Sequence, residues 1–175
     1  KGKIGDVISV DATCTSLADG SGDDWNSITA WGPTALLPVF QLLGTDYKNK
    51  NINSLLLDSA ENFDLFTKID FTYQNAVASI KVGKGVKSEG ELIISGTKGY
   101  IYVPAPWWKT DYFEVRFENQ NENKKYFYQL DGEGIRYELV AFIKSIELNK
   151  TGSYIDINIS KEISSVMEAF DNNKF

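Results

Sequence analysis

With 175 residues, 42% of them hydrophobic and 13% aromatic, the chain carries enough apolar surface to fill one core, which excludes a disordered or low-complexity protein. Its net charge of -6, without any basic cluster, excludes nucleic acid and anionic membrane as expected partners, and no apolar run approaches the length of a membrane-spanning helix. There is no histidine and one cysteine, Cys14, so histidine acid–base catalysis, zinc–histidine sites and an intrachain disulfide are excluded, and a reducing cytoplasm is the expected compartment.

Val7 to Ser16 alternates, with Ile8, Val10, Ala12 and Cys14 on one face and Ser9, Asp11, Thr13 and Thr15 on the other, which predicts a half-buried strand. The acidic stretch DGSGDD, residues 19 to 24, lacks the twelve-residue EF-hand spacing and its closing Glu, so it reads as a solvated loop and no metal site is expected. Pro33 suits the first position of a helix and Gly44 the position just past its end. Between them Ala35, Leu36, Val39, Phe40 and Leu43 form an apolar stripe, which predicts a helix over 33–43. Pro38 falls inside it and leaves the Thr34 carbonyl without its helical partner.

From about residue 52 to 130 the period becomes two. Leu65, Thr67, Ile69, Phe71 and Tyr73 share one face and Ala76, Ala78, Ile80 and Val82 the next, a hairpin pattern. Further strands are predicted at Leu92 to Ile94, Tyr100 to Val103, Tyr112 to Phe117 and Lys125 to Leu130, the last two joined by the polar loop NQNEN, residues 119 to 123. Connections this short imply antiparallel pairing. Two amphipathic helices close the chain: Ile135, Leu139, Phe142, Ile143 and Ile146 fall at helical spacing, as do Ile163, Val166, Met167 and Phe170 behind a predicted cap at Ser160. The fold class that follows is α+β, an open, mostly antiparallel sheet with helices packed on one face. Its other face carries mixed aromatic and polar residues, as expected of a surface that meets a second subunit.

Chemistry is sparse along the chain. VGKGVKSEG, residues 82 to 90, has the wrong glycine spacing for a dinucleotide cradle and no helix after it, so it reads as a turn. Trp107, Trp108 and Lys109 follow the strand-breaking Pro104 and Pro106. There the indoles could stack on a sugar ring and the ammonium pair with an anion, or the indoles could simply pack into the core and leave Lys109 solvated. Arg136 and Tyr137 open a helix beside Gly132 and Gly134, where polar groups can enter a cleft, or where Arg136 pairs locally with Glu133 or Glu138. Glu138, Glu147 and Glu162 read as solvated helix positions.

Four stretches resemble the C-terminal domain of the glucose-fructose oxidoreductase / inositol dehydrogenase / rhizopine-catabolism (Gfo/Idh/MocA) family. They are IGDVISVDA near the start, ITAWGPTALLPVFQLLG at 28 to 44, EGELIISGTKGYIYVPAPWW at 89 to 108 and GEGIRYELVAFIKSI at 132 to 146. The third is the most specific. The resemblance implies one domain over residues 1–175 that lines a sugar-like substrate's pocket and forms a homodimer through the open sheet face. It also implies an N-terminal Rossmann domain, absent from this chain, that binds NAD or NADP and supplies a catalytic Lys; the fragment alone is then expected to be inactive and to bind no cofactor.

The resemblance also locates a departure. Many members begin the helix of the second stretch with Asp, three residues, then His or Tyr, the groups that assist hydride transfer. The corresponding positions here are Ala30 and Thr34, and neither side chain can serve as an acid or base near neutral pH. Two alternatives stay open: a non-catalytic binding or scaffolding protein with a degenerate dehydrogenase site, and an independent carbohydrate-binding module built on Trp107 and Trp108.

Overall fold

The computed structural model describes residues 2–17, 26–56, 63–129, 132–149 and 154–172. The acidic stretch 19–24 lies outside them. Among the described residues eight strands form a single open sheet: β1 (Val7–Ser16), β2 (Asn49–Leu56), β3 (Asp64–Thr72), β4 (Val77–Lys84), β5 (Leu92–Gly96), β6 (Tyr100–Val103), β7 (Tyr112–Arg116) and β8 (Lys124–Phe127). Their spatial order is β2-β3-β4-β1-β5-β6-β7-β8. Six of the seven pairings are antiparallel, and the exception is the parallel pair β1–β4, aligned Val10 to Ala78 and Ala12 to Ile80. The first strand is therefore the centre of the sheet, inserted between two later hairpin systems. The class is α+β.

Period two decides which side chains meet the helices. Val10, Ala12 and Cys14 of β1, Thr67, Ile69 and Phe71 of β3 and Ala78, Ile80 and Val82 of β4 are all buried, in one continuous face. Ile8 departs from the expected pattern and is 42% exposed, because the pairing of β1 with β5 slips between Val7 and Ser9 and breaks the alternation there. Thr15, expected on the open face, is buried; its Oγ1 accepts the Ser88 backbone N–H at 3.0 Å, which ties the end of β1 to the loop before β5.

Helix α1 (Ser27–Leu43) lies across β1, β4 and β3. It begins at Ser27 and not at Pro33, so both prolines lie inside it. The early start is held from outside the local pattern. Asn26 accepts the Thr29 N–H at 2.9 Å as a cap, while the buried Asp64 carboxylate faces the Ile28 N–H at 3.4 Å. The Ser27 hydroxyl is shared between the Asp64 and Leu65 carbonyls, at 2.6 and 2.8 Å, and accepts the Lys84 N–H at 2.7 Å. An interior proline costs a helix about 3 kcal/mol, and complete burial of Ala35, Leu36, Val39 and Phe40 around Pro38 offsets it. At the other end Gly44 has φ +80°, a conformation that favours glycine, and donates its N–H to the Phe40 carbonyl at 3.0 Å.

Helix α3 (Ile157–Asn172) packs on α1 through Val166 and Phe170. Its start is set by Asp156, whose Oδ1 accepts the Asn158 N–H at 2.8 Å; Ser160 sits within the first turn and does not cap it. Glu162 is half-buried where its sequence position suggests a solvated side chain, and it accepts a hydrogen bond of 2.7 Å from the Tyr47 hydroxyl. Helix α2 (Ile135–Glu147) forms as its period predicts, yet none of its residues is buried.

Candidate functional site

The corner after Pro106 is held by backbone groups. Trp107 donates its backbone N–H to the Gly90 carbonyl at 3.0 Å and its indole Nε1–H to the Thr13 carbonyl at 3.2 Å, which fixes the corner beside the end of β1. Trp108 stands edge-on to it, ring centroids 6.0 Å apart and planes at 89°. On its other side Trp108 meets a third indole, Trp31 of α1, with centroids 4.9 Å apart and planes at 47°. Trp31 is anchored by its Nε1–H to Ser16 Oγ at 3.1 Å. Gly90 packs closely under the Trp108 ring: a Cβ there would come within 3.2 Å of that ring, which would have to give way by a few tenths of an ångström.

Three half-buried indoles therefore form a wall at the junction of β1, α1 and the proline corner. Ala30 and Thr34 belong to the same helical segment as Trp31, Ala30 adjacent to it and Thr34 three residues on, and both are half-buried. The positions where the resemblance looks for an acid or base thus lie beside the wall, where Thr34 can offer only a hydroxyl. Lys109 is exposed at the end of the corner, its backbone N–H closing a turn on the Pro106 carbonyl at 2.8 Å.

Of the five residues that sequence reasoning offers for substrate binding, the structure joins Trp107, Trp108 and Lys109. Arg136 and Tyr137 lie on another element: Tyr137 lines a groove of about 660 Å³ on α2 with Leu139, Phe142 and Tyr154. Trp31 is the residue that sequence reasoning missed. Its only signal is its place between Ala30 and Thr34, and nothing local indicates that α1 passes beside a loop about 75 residues further on.

Two titratable groups with shifted pKa values, Cys14 of β1 and Asp64 of β3, are buried in the elements that carry α1. Burial pushes the Cys14 thiol up to about 12, against a smaller opposing effect of the Trp107 indole, so it is not a nucleophile near neutral pH. Burial also raises the Asp64 carboxyl, with hydrogen bonds from Thr67 and from the N–H groups at the start of α1 opposing it. The Thr67 hydroxyl donates to Asp64 Oδ2 at 2.5 Å. Among the described residues no cluster of His, Cys, Asp or Glu is arranged to hold a metal, and no helix is long and apolar enough to cross a membrane.

The same fold makes up about half of several solved oxidoreductases. No family model matches the chain, and neither does any curated protein sequence. Among solved structures, UDP-N-acetylglucosamine 3-dehydrogenase GnnA from Acidithiobacillus ferrooxidans matches 95% of this chain with a TM-score of 0.77 at 11% identity, over 53% of its own length. KijD10, a 3-ketoreductase from Actinomadura kijaniata solved with TDP-benzene and NADP, matches 93% with a TM-score of 0.71 at 12% identity, over 50% of its length. An oxidoreductase from Agrobacterium radiobacter, solved with NAD+, L-tartaric acid and magnesium, matches 93% with a TM-score of 0.72 at 18% identity, over 53% of its length. The chain spans about half the length of each of these structures, and what they share with it is the fold.

Proposed function

We propose that this chain is the substrate-binding and oligomerisation half of an NAD(P)-dependent oxidoreductase of the Gfo/Idh/MocA type, acting on a sugar or sugar derivative. The observation that carries the reading is a fold match over 95% of the chain to 53% of an enzyme about twice its length. Local features agree with it. The glycine-containing segment after β4 leads into strand β5, so it lacks the helix N-terminus that cradles a pyrophosphate. The N-terminus of α1 is already occupied by Asn26 and the Asp64 carboxylate, and offers little to a phosphate. NAD or NADP then belongs to the other half, where residues of that half would hold it and where it would supply the hydride chemistry.

In this reading the indole wall of Trp31, Trp107 and Trp108 borders the substrate, with Lys109 at its rim; Arg136 and Tyr137 have no comparable support. The open face, carrying Tyr100, Tyr102, Tyr112, Glu114, Arg116 and Lys125, is the homodimer surface. Fluorescence titration of NADH and NADPH into the 175-residue chain tests the division of labour. No saturable binding is expected, and tight binding of either overturns it.

A second reading rests on Ala30 and Thr34. Beside the indole wall they provide no titratable group, which fits a parent protein that binds a ligand or scaffolds an assembly without redox turnover. The sequence upstream of Lys1 separates the two readings. A GxGxxG followed by a Glu-Lys-Pro segment supports the enzyme, and the absence of both supports the scaffold.

A further inference from the structure

We propose that the apolar stripe of α2 is the seat of the dinucleotide-binding half of the parent protein, an interdomain contact separate from the open sheet face. Ile135, Leu139, Phe142, Ile143 and Ile146 lie within a stripe about 100° wide at 3.6 residues per turn, the width of a core-facing helix surface. Each is more than half exposed: 62%, 56%, 62%, 52% and 64% in order. Helices of about this length are marginal in water without tertiary packing, so such a stripe requires a cover.

Within the described residues the cover is not supplied. Helix α2 packs on the short 3-10 turn Gly132–Gly134 at its own start, whereas α3, of similar length, packs on α1 and buries Val166 and Phe170. The groove between α2 and Tyr154 runs along one side of the stripe and extends the apolar surface.

Three considerations favour an absent domain as the occupant over a second copy. The solved structures with this fold are about twice as long, and several were solved with NAD+ or NADP, so half of such a chain must attach somewhere. Interfaces between domains of one chain cover roughly 600–1,500 Å², a scale that one exposed helix with its flanking groove begins to supply. In the proposed reading the open sheet face already serves as the two-fold surface of a homodimer. Covalent linkage also raises the local concentration of the other half to the millimolar range, which one helix stripe can exploit and a free partner cannot.

The proposal rests on the two-domain reading, and its test separates the two. Hydrogen exchange is measured over residues 135–147 in the 175-residue chain and in the full-length protein, each at two concentrations, with and without NADPH. At least tenfold slower exchange is expected in the full-length protein at both concentrations, and Phe142→Asp with Ile146→Asp should abolish that slowing while NADPH still binds. If the full-length protein contains a dinucleotide-binding domain and residues 135–147 exchange equally fast in both chains, the docking proposal fails and the two-domain reading stands. Protection that appears only at the higher concentration assigns the stripe to a second copy and overturns it. If no such domain lies upstream, both readings fall together.

Discussion

The indole of Trp31 lies 4.9 Å from that of Trp108, centroid to centroid, and joins the first helix to a corner remote from it in sequence. That contact turns two adjacent tryptophans into a wall with a helix behind it. Gly90 lies against the Trp108 ring, where a Cβ would make a tight 3.2 Å contact.

Gly90→Ala should displace Trp108 and destabilise the chain by about 1–3 kcal/mol, the usual cost of forcing an extra methyl into packed surroundings. Trp108→Ala should cost about 1–3 kcal/mol, less than the ~3–5 kcal/mol of a fully buried tryptophan because the ring is half-exposed. Urea unfolding monitored by far-UV circular dichroism measures both. In the full-length protein, Trp108→Ala should raise KM for a sugar substrate more than it lowers kcat if the wall only binds.

Asp64 predicts a pH dependence. Its carboxyl is raised in the folded state by burial, so the folded chain holds that proton more tightly than the unfolded chain, whose aspartates titrate near about 3.9. The contribution is fully present below the unfolded value and is lost as pH rises through the folded one. Asp64→Asn removes the titration and keeps an acceptor for Thr67. The stability of wild type minus variant should therefore fall as pH increases from about 3 to neutrality, and a flat difference would contradict the assignment.

Cys14 should be inert in the native chain. Burial pushes its thiol up to about 12, which leaves little thiolate at pH 8, and the side chain is fully buried. A thiol reagent should modify it only after denaturant is added. Rapid labelling of the native protein would show that β1 opens locally.

On the open face the Arg116 guanidinium lies 4.4 Å from the Tyr102 ring centroid. Tyr102→Asp should convert the proposed dimer into a monomer with an unchanged far-UV spectrum. Sedimentation velocity at high micromolar concentration reads the outcome, and a wild-type chain that sediments as a monomer would refute the dimer.

Most strands were legible because alternation is a local signal. Thr67, Ile69, Phe71, Ala78, Ile80 and Val82 appear in the sequence at period two and are buried in the sheet on one face. The start of α1 was not legible. Pro33 looks like a first-turn proline, but the helix is extended back to Ser27 by hydrogen bonds to Asp64 and Leu65, residues remote in sequence. The same applies to the indole wall, whose third member comes from a segment in which no local pattern marks Trp31.

The sequence by itself determined the α+β class, most strand faces apart from Ile8 and Thr15 of β1, both closing helices and the lack of an acid or base at Ala30 and Thr34, because these depend on residue type and short-range period. Tertiary structure alone decided that β1 pairs in parallel with β4 at the centre of the sheet, that Trp31 meets Trp108, and that the stripe of α2 stays exposed while that of α3 is buried. Two amphipathic helices with the same apolar period are equivalent until the chain is closed. Which of them finds a surface depends on contacts between residues far apart in sequence, and periodicity carries no record of those.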